Sequence, residues 1–140
     1  MNYFLALEIS ASGLSVQRKR MDVIASNLAN IETTRTRQGG PYRRKMVVVG
    51  THPVKSFQET LASQAEGAEI DQIVEDESPF VRIFNPDHPD ADEDGYLRKP
   101  NVDLIVETTN MLMARRAFEA NVAAIKAAKQ MALKALEIGK

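Results

Sequence analysis

The carboxylates best placed to do chemistry lie in one short stretch. Three aspartates at alternating positions and a following glycine match the opening of a calcium-binding loop: Asp90, Asp92, Asp94 and Gly95. Such a loop needs a bidentate glutamate at its twelfth position. That position is occupied by Asn101 here. The stretch is therefore better interpreted as an acidic loop with a turn glycine than as a metal site.

No other set of residues forms a recognisable active site. His52 and His88 are the only histidines, and their separation fits no zinc-binding spacing. No serine lies in a Gly-x-Ser-x-Gly context. The absence of cysteine excludes a disulfide framework and a thiolate metal site. We predict a protein that is not an enzyme, with no catalytic residue, metal, cofactor or small-molecule substrate.

Two amphipathic helices at the ends of the chain are the elements that organise the rest. Seven-residue apolar spacing places a stripe on one side of a helix and favours packing against other helices. Each helix reaches roughly 45 Å at about 1.5 Å per residue, so the middle of the chain is too small to bury either one. We predict that their apolar side chains form an assembly interface: Leu7, Leu14, Met21, Ile24, Leu28, Leu104, Met111, Phe118, Val122, Ile125 and Leu136.

The predicted fold class is α+β, with the terminal helices paired as a coiled coil around a small β-rich middle domain. The domains are residues 1–32, 33–101 and 102–140. The first helix covers 2–29; Gly13 lowers its propensity by up to about 1 kcal/mol, and Asn27 and Asn30 can cap its end. The second helix begins at Asn101 or Asp103 and runs to Gly139. Between them we predict a Gly39-Gly40-Pro41 turn, strands at 42–49, 70–74, 79–84 and 96–98, and a weak helix at 56–65.

Charge is strongly segregated along the chain. Residues 1–65 carry a net charge of +5, residues 66–94 carry −10 and residues 95–140 carry +4. The acidic block is either a solvated loop or a surface that faces the basic helices of a neighbouring subunit. Nucleic acid is excluded as a partner, since the pI is about 6.1 and no aromatics alternate with the basic residues. Direct membrane insertion and a cleavable signal peptide are not expected, because charged residues interrupt both helices.

Several stretches resemble bacterial flagellar axial proteins, the rod, hook and junction subunits. Residues 21–30 (MDVIASNLAN), with ASGL before them at 11–14, are similar to the N-terminal signature of that family. Further stretches narrow the resemblance to flagellar basal-body rod proteins, specifically those of the proximal rod: residues 33–36, 39–45, 85–92, 95–96, 100–102, 110–111, 116–122 and 131–139. Ile31-Glu32 and Phe118 depart from the family pattern without weakening it. The motif residues are Ser26, Asn27, Asn30, Thr34 and Asn121.

The resemblance implies a structural subunit of the proximal rod of the bacterial flagellar basal body. Its partners would be copies of itself, other rod subunits and the flagellar type III export apparatus, which would export it from the cytoplasm without a signal peptide. In this family the terminal helices enclose the export channel, and the subunits stack into a helical drive shaft that crosses the periplasm and transmits torque. Two alternatives remain: a non-enzymatic coiled-coil adaptor or chaperone of the export system, and a small hydrolase or metal-binding protein.

Overall fold

The computed structural model describes residues 3–53 and 66–138 and confirms an α+β fold with paired terminal helices. Its elements in chain order are α1 (Tyr3–Ala29), β1 (Lys45–Pro53), β2 (Glu66–Glu75), β3 (Val81–Phe84), β4 (Tyr96–Lys99) and α2 (Leu104–Ile138). The four predicted strands are all present, with boundaries that differ by up to four residues. The helix predicted at 56–65 lies outside the described residues.

The two helices run antiparallel to each other. The Asn27 amide near the end of α1 donates a 2.9 Å hydrogen bond to Glu107 near the start of α2. A Cβ atom added at Gly13 would lie 3.0 Å from the Asn121 amide. Asn27 lies fourteen positions after Gly13, and Asn121 lies fourteen positions after Glu107, so contacts advance in opposite directions along the two helices. Gly13, which weakens the helix locally, is thus a point of close contact between the two helices.

One line of α2 residues, the inner seam, packs towards α1. It repeats at alternating steps of four and three: Glu107, Met111, Ala114, Phe118, Asn121, Ile125, Ala128 and Ala132. Each of these residues is buried or half-buried, and Ala114 and Ala128 are 0% and 4% exposed. The matching line on α1 contains Ile9, Gly13, Val16, Arg20, Val23 and Asn27. Because Ala114 and Ala128, two of its three most buried positions, carry small side chains, the inner seam allows close contact between the helix backbones there.

The apolar stripes predicted from sequence coincide with only part of this packing. On α1, Ile24 is buried, and Leu7, Leu14, Met21 and Leu28 are half-buried. On α2, Met111, Phe118, Val122 and Ile125 are half-buried. Leu104 and Leu136 are 59% and 70% exposed in the isolated chain. The predicted interface does not include Glu107, Ala114 and Ala128, the three inner-seam residues that are buried most deeply.

The middle of the chain forms two antiparallel hairpins. β1 pairs with β2, and the register shifts between Val48, opposite Gln72, and Val49, opposite Ile70. This shift leaves Asp71 as the extra residue of a β-bulge. β3 pairs with β4. The first hairpin lies against α1, where the Ala68 amide donates a 3.1 Å hydrogen bond to the Ser12 hydroxyl.

The chain turns into and out of this region at well-defined points. Gly39 and Gly40 adopt positive φ angles of 89° and 72°, which confirms the predicted turn. Asp103 caps α2, since its carboxylate accepts hydrogen bonds from the amides of Ile105 (2.8 Å) and Val106 (3.0 Å). Neither helix, over the residues described, is long and apolar enough to span a membrane.

Candidate functional site

The most deeply buried polar side chain of α1 is Asn27, which is 1% exposed. Its Nδ2 donates to the Lys45 carbonyl at 2.8 Å and to the Glu107 carboxylate at 2.9 Å. Its Oδ1 accepts from the Tyr42 hydroxyl at 3.0 Å and from the Lys45 amide at 2.9 Å. An asparagine amide offers two donors and two acceptor lone pairs, so Asn27 uses its full hydrogen-bonding capacity here.

Glu107 is the charged side chain at the start of the inner seam, and it is also 1% exposed. Its Oε1 accepts two hydrogen bonds from the Arg44 guanidinium, from Nε at 3.0 Å and Nη2 at 2.8 Å. Its Oε2 accepts the bond from Asn27. A buried carboxylate is tolerated when it is paired and fully hydrogen-bonded. Glu107 meets that condition through one residue of α1 and one residue next to β1.

Arg44 extends the network to the second half of the middle region. Its Nη1 lies 3.2 Å from the Asp76 carboxylate. Its backbone amide donates to Asn101 Oδ1 at 2.9 Å, and Asn101 Nδ2 donates to the Asp76 carbonyl at 3.0 Å. We call the connected residues the polar hub: Asn27, Tyr42, Arg44, Asp76, Asn101 and Glu107. In the part of the chain that the structure describes, every buried side-chain nitrogen and oxygen has a hydrogen-bond partner.

The pKa values of Arg44 and Asp76, two members of the polar hub, are shifted towards their charged forms. Burial lowers the pKa of Arg44, but hydrogen bonds to Glu107 and Asp76 outweigh it, so the pKa lies above its ordinary value. Hydrogen bonds from the backbone and side chain of Ser78, and then the Arg44 charge, lower the pKa of Asp76. Both shifts reflect the ion pairs of Arg44, which join the residue before β1 to Glu107 on α2 and to Asp76 just after β2.

Three of the four remaining motif residues, Ser26, Asn30 and Thr34, lie around the end of α1. Asn30 Nδ2 donates to the Ser26 carbonyl at 2.9 Å, as predicted for a residue that caps the helix end. The Ser26 hydroxyl lies 3.4 Å from the Tyr42 hydroxyl. Thr34 donates to the Asp90 carboxylate at 2.8 Å. Asn121 lies away from this group, with its amide against Gly13 and bonded to the Ala117 carbonyl at 3.0 Å.

The prediction that the Asn27 side chain caps the end of α1 is wrong. Its side chain turns away from the end of α1 and into the polar hub, because Glu107 and the start of β1 lie against that face. Glu107 and Arg44 were not identified from sequence at all. The available signal was Glu107 itself, a charged residue that shares seven-residue spacing with Ala114, Asn121 and Ala128.

Asp90 and Asp92 of the acidic loop bind protein groups, both within the turn and outside it. Asp92 Oδ1 accepts from the Tyr96 amide at 2.7 Å, and Asp92 Oδ2 lies 3.5 Å from Arg82. Asp90 accepts the hydrogen bond from Thr34. Over residues 3–53 and 66–138, no group of three or more His, Asp or Glu side chains is arranged to hold a metal ion.

Two protein-family models match the two ends of the chain. Residues 7–35 match the family model described as "Flagella basal body rod protein". Residues 93–138 match the model described as "Flagellar basal body rod FlgEFG protein C-terminal". The two matched segments cover nearly all of α1 and α2 together with part of the polar hub.

Similarity to curated relatives extends over the whole chain. It is 45% identical to "Flagellar basal-body rod protein FlgC" of Bacillus subtilis, over 100% of both chains. The protein of the same name in Borreliella burgdorferi is 36% identical over 99% of this chain and 98% of its own. That of Salmonella typhimurium is 37% identical over 94% of each. With helices, hairpins and motif residues all inside these matches, the chain belongs to the FlgC family of flagellar basal-body rod proteins.

Proposed function

We propose that this chain, as a structural subunit of the flagellar basal-body rod, stacks with copies of itself and with other rod subunits into a helical drive shaft. The shaft crosses the periplasm, transmits torque and encloses the export channel. The observation that carries the proposal is the match to FlgC of Bacillus subtilis over the full length of both chains. A full-length match includes the helix pair, the hairpins and the joint between them.

The polar hub suits a part that bears torque. It ties the end of α1, the start of β1 and the start of α2 together through Asn27, Arg44 and Glu107. Rotation of the hairpins against the helix pair would break a buried ion pair and expose a fully hydrogen-bonded amide, and both changes cost free energy. The hub therefore acts as a stiff joint, so that load on one region passes to the other.

The exposed faces of the helices suit assembly. Large apolar side chains on α2 remain open to solvent in the isolated chain, including Ile105 at 77% and Met113 at 62%. We propose that the chain leaves the cytoplasm through the flagellar type III export apparatus and completes its burial against neighbouring subunits. Interfaces that repeat without closing generate open helical arrays, which is the geometry of a rod.

The test is electron microscopy of basal bodies from a strain that lacks this gene. We expect membrane rings without a completed rod, and restoration of the rod by the wild-type gene supplied in trans. Complete, rotating flagella in the deletion strain would contradict the proposal. That outcome would favour the alternative of an adaptor or chaperone of the export system.

A further inference from the structure

A cavity of about 210 Å³ lies beside the polar hub, where α1, β1 and α2 come together. Its lining combines charged and amide groups with apolar side chains, including Arg20, Val23, Ile24, Lys45, Val47 and Asn110. A single water needs about 10–15 Å³, so the cavity has room for a group the size of a small side chain. Molecules larger than water can therefore enter it.

Arg20 is a half-buried cation in this lining. It lies seven residues before Asn27, which contacts Glu107. Seven residues after Glu107 is Ala114, the position opposite Arg20 in the antiparallel helix pair, and a methyl group offers no acceptor. Among the described residues, the one hydrogen bond of the Arg20 guanidinium is to Gln17 Oε1 at 3.5 Å, which is long for such a bond. Because a guanidinium has five donors, most of those of Arg20 have no acceptor in the described chain.

The helix that carries Arg20 supplies no carboxylate to it. Side chains meet on one face of a helix when they are three or four residues apart. Those positions around Arg20 hold no acid: Val16, Gln17, Val23 and Ile24. Asp22 is exposed and only two residues away, a spacing that turns the two side chains to different faces. Arg20 therefore has no carboxylate partner within α1.

The acids of α2 are engaged elsewhere. Both oxygens of Glu107 are bonded within the polar hub, and Glu119 is paired within its own helix. Asp103 caps the helix. Glu137 lies 23 residues beyond Ala114, which is about 35 Å along the helix axis. None of these carboxylates pairs with Arg20.

The first hairpin supplies no partner either. β1 contains no acid, and Glu75 of β2 lies opposite Lys45 in the strand register. The other acids of β2 lie further along the hairpin: Glu66, Glu69 and Asp71. The Lys45 ammonium lies over the Tyr42 ring, 5.9 Å from its centroid. In the part of the chain that the structure describes, neither Lys45 nor Arg20 forms an ion pair, whereas Arg44 beside them forms two.

Asn110 provides a second polar group to the cavity. Its Nδ2 donates one hydrogen bond, at 3.4 Å, to Glu107, which leaves the second amide hydrogen for another acceptor. A carboxylate accepts two parallel hydrogen bonds from a guanidinium and further bonds at its remaining lone pairs. Apolar side chains such as Ile24 and Val47 would cover an aliphatic stem and remove it from water. The lining therefore fits a carboxylate on a short aliphatic stem better than a bare inorganic anion.

We propose that this cavity is a binding site for a carboxylate on a short aliphatic stem, held by Arg20 and Asn110. Such a group exists as a free small carboxylate and as the acidic side chain of a neighbouring chain. In either form it contacts α1 through Arg20, α2 through Asn110 and β1 through Val47, the three elements that the polar hub joins. A bound carboxylate thus adds a second tie across the joint. The site does not depend on the proposed function, since it is complete within one chain.

NMR titration of the purified full chain with propionate tests the site, because propionate has the carboxylate and the stem of a glutamate side chain. At constant ionic strength, we expect the Arg20 Nε–Hε and Asn110 side-chain amide cross-peaks to shift saturably with one dissociation constant. Propionamide has nearly the same shape without the charge, and it should not produce these shifts. No saturable shift with propionate, or equal shifts with propionamide, would overturn the proposal.

A matched pair of variants separates the site from a general effect of charge. Hydrogen bonds to charged groups are strong, so Arg20→Gln should weaken propionate binding, followed at Asn110, by about tenfold or more. Arg18→Gln makes the same change of charge at an exposed position of α1 and should leave the binding unchanged. Arg20→Lys, which keeps the charge but not the planar fork, should bind with intermediate affinity. Equal circular dichroism of the four chains shows that the fold is retained, and equal weakening by Arg20→Gln and Arg18→Gln would contradict the site.

Assembled rods distinguish the two sources of the carboxylate. If it is the side chain of a neighbouring chain, the deletion strain complemented with Arg20→Gln builds fewer completed rods than the strain complemented with Arg18→Gln. If it is a free molecule, the two strains build rods equally. Either result, together with propionate binding that depends on Arg20, supports the site. Normal rods in the deletion strain without any complementing gene would remove the rod function and leave the site as the titration defines it.

Discussion

The two ends of the helix pair differ in which side chains they bury and which they leave exposed. At one end, Asn27 of α1 and Glu107 of α2 are each 1% exposed and satisfied within the polar hub. At the other end, Phe4, Leu136 and Ile138 are 83%, 70% and 87% exposed. Polar side chains are therefore buried at one end and apolar side chains are exposed at the other, the reverse of the usual arrangement. The polar side chains of the hub end are satisfied within one chain, although Leu104 and Ile105 beside them are 59% and 77% exposed; at the other end, which we call the open end, large apolar side chains of α2 are left in solvent.

The difference follows from what surrounds each end. The hub end contacts the start of β1, which supplies Arg44 and the backbone groups of Lys45 as partners. At the open end α2 extends beyond α1, because α2 has 35 residues and α1 has 27. With antiparallel packing in the register set by Asn27 and Glu107, the last turns of α2 extend past Tyr3. Leu136 and Ile138 therefore have no residue of α1 opposite them.

The largest expected effect comes from breaking the hub end. Glu107→Ala removes the carboxylate that pairs with Arg44 and Asn27, leaving the guanidinium and the amide short of partners. Removing one partner of a buried ion pair costs about 3–5 kcal/mol, and we expect the lower end of that range because Arg44 retains Asp76. Urea unfolding followed by circular dichroism measures the change.

The matched control for Glu107 is Glu119, a glutamate of the same helix. Glu119 pairs with Arg115 at 2.9 Å, but the two side chains are 59% and 69% exposed. Exposed pairs of this spacing contribute about 0.3–0.5 kcal/mol. Glu119→Ala should therefore change the free energy of unfolding by less than about 0.5 kcal/mol. Equal effects of the two substitutions would refute a special role for the hub end.

The next effect concerns the close contact between the helices. An added Cβ at Gly13 would lie 3.0 Å from the Asn121 amide, which is held by its bond to the Ala117 carbonyl. We expect Gly13→Ala to destabilise the chain by about 1 kcal/mol, because this overpacking outweighs the gain in helix propensity.

A double-mutant cycle checks this interpretation. In an Asn121→Ala background the obstruction is gone, so Gly13→Ala should instead stabilise the chain by about 0.5–1 kcal/mol. The change of sign, measured by urea unfolding of the four chains, is the expected result. Stabilisation by Gly13→Ala in both backgrounds would show that the helices have room for a methyl group at this point.

The smallest effect is expected at the open end. Leu136→Ala removes apolar atoms that are mostly in water already, so the free energy of unfolding of the isolated chain should change by less than about 0.5 kcal/mol. Ile24 has as many side-chain carbon atoms as Leu136 but is 7% exposed and lies near the hub end. Ile24→Ala should therefore lower the free energy of unfolding by about 2–5 kcal/mol. Comparable losses in thermal or urea unfolding would mean that the open end is already packed within one chain.

The sequence patterns were sufficient to predict the helices and strands and their order along the chain. Seven-residue apolar spacing predicted both long helices, the glycine pair predicted the turn at residues 39–41, and β-branched residues predicted the strand that begins at Lys45. Asp103 was one of two predicted caps and is the residue that caps α2. These features depend on neighbours within a few positions, which is why a single chain reveals them. The resemblance to rod proteins, carried by residues 21–30 and the stretches after them, is confirmed by the full-length relatives.

The sequence by itself thus determined the α+β class, the two helices and the family to which the chain belongs. Only the tertiary structure decided which face of each helix is inward. It placed Glu107, Asn27 and Arg44, which are distant in sequence, within hydrogen-bonding distance of one another. It also placed the most deeply buried positions of α2 at Glu107, Ala114 and Ala128, on the same line as the predicted Met111, Phe118 and Ile125, which are half-buried. The physical reason is that burial depends on how closely two backbones approach and on which polar partners meet there, and neither quantity can be read from the hydrophobicity of one helix.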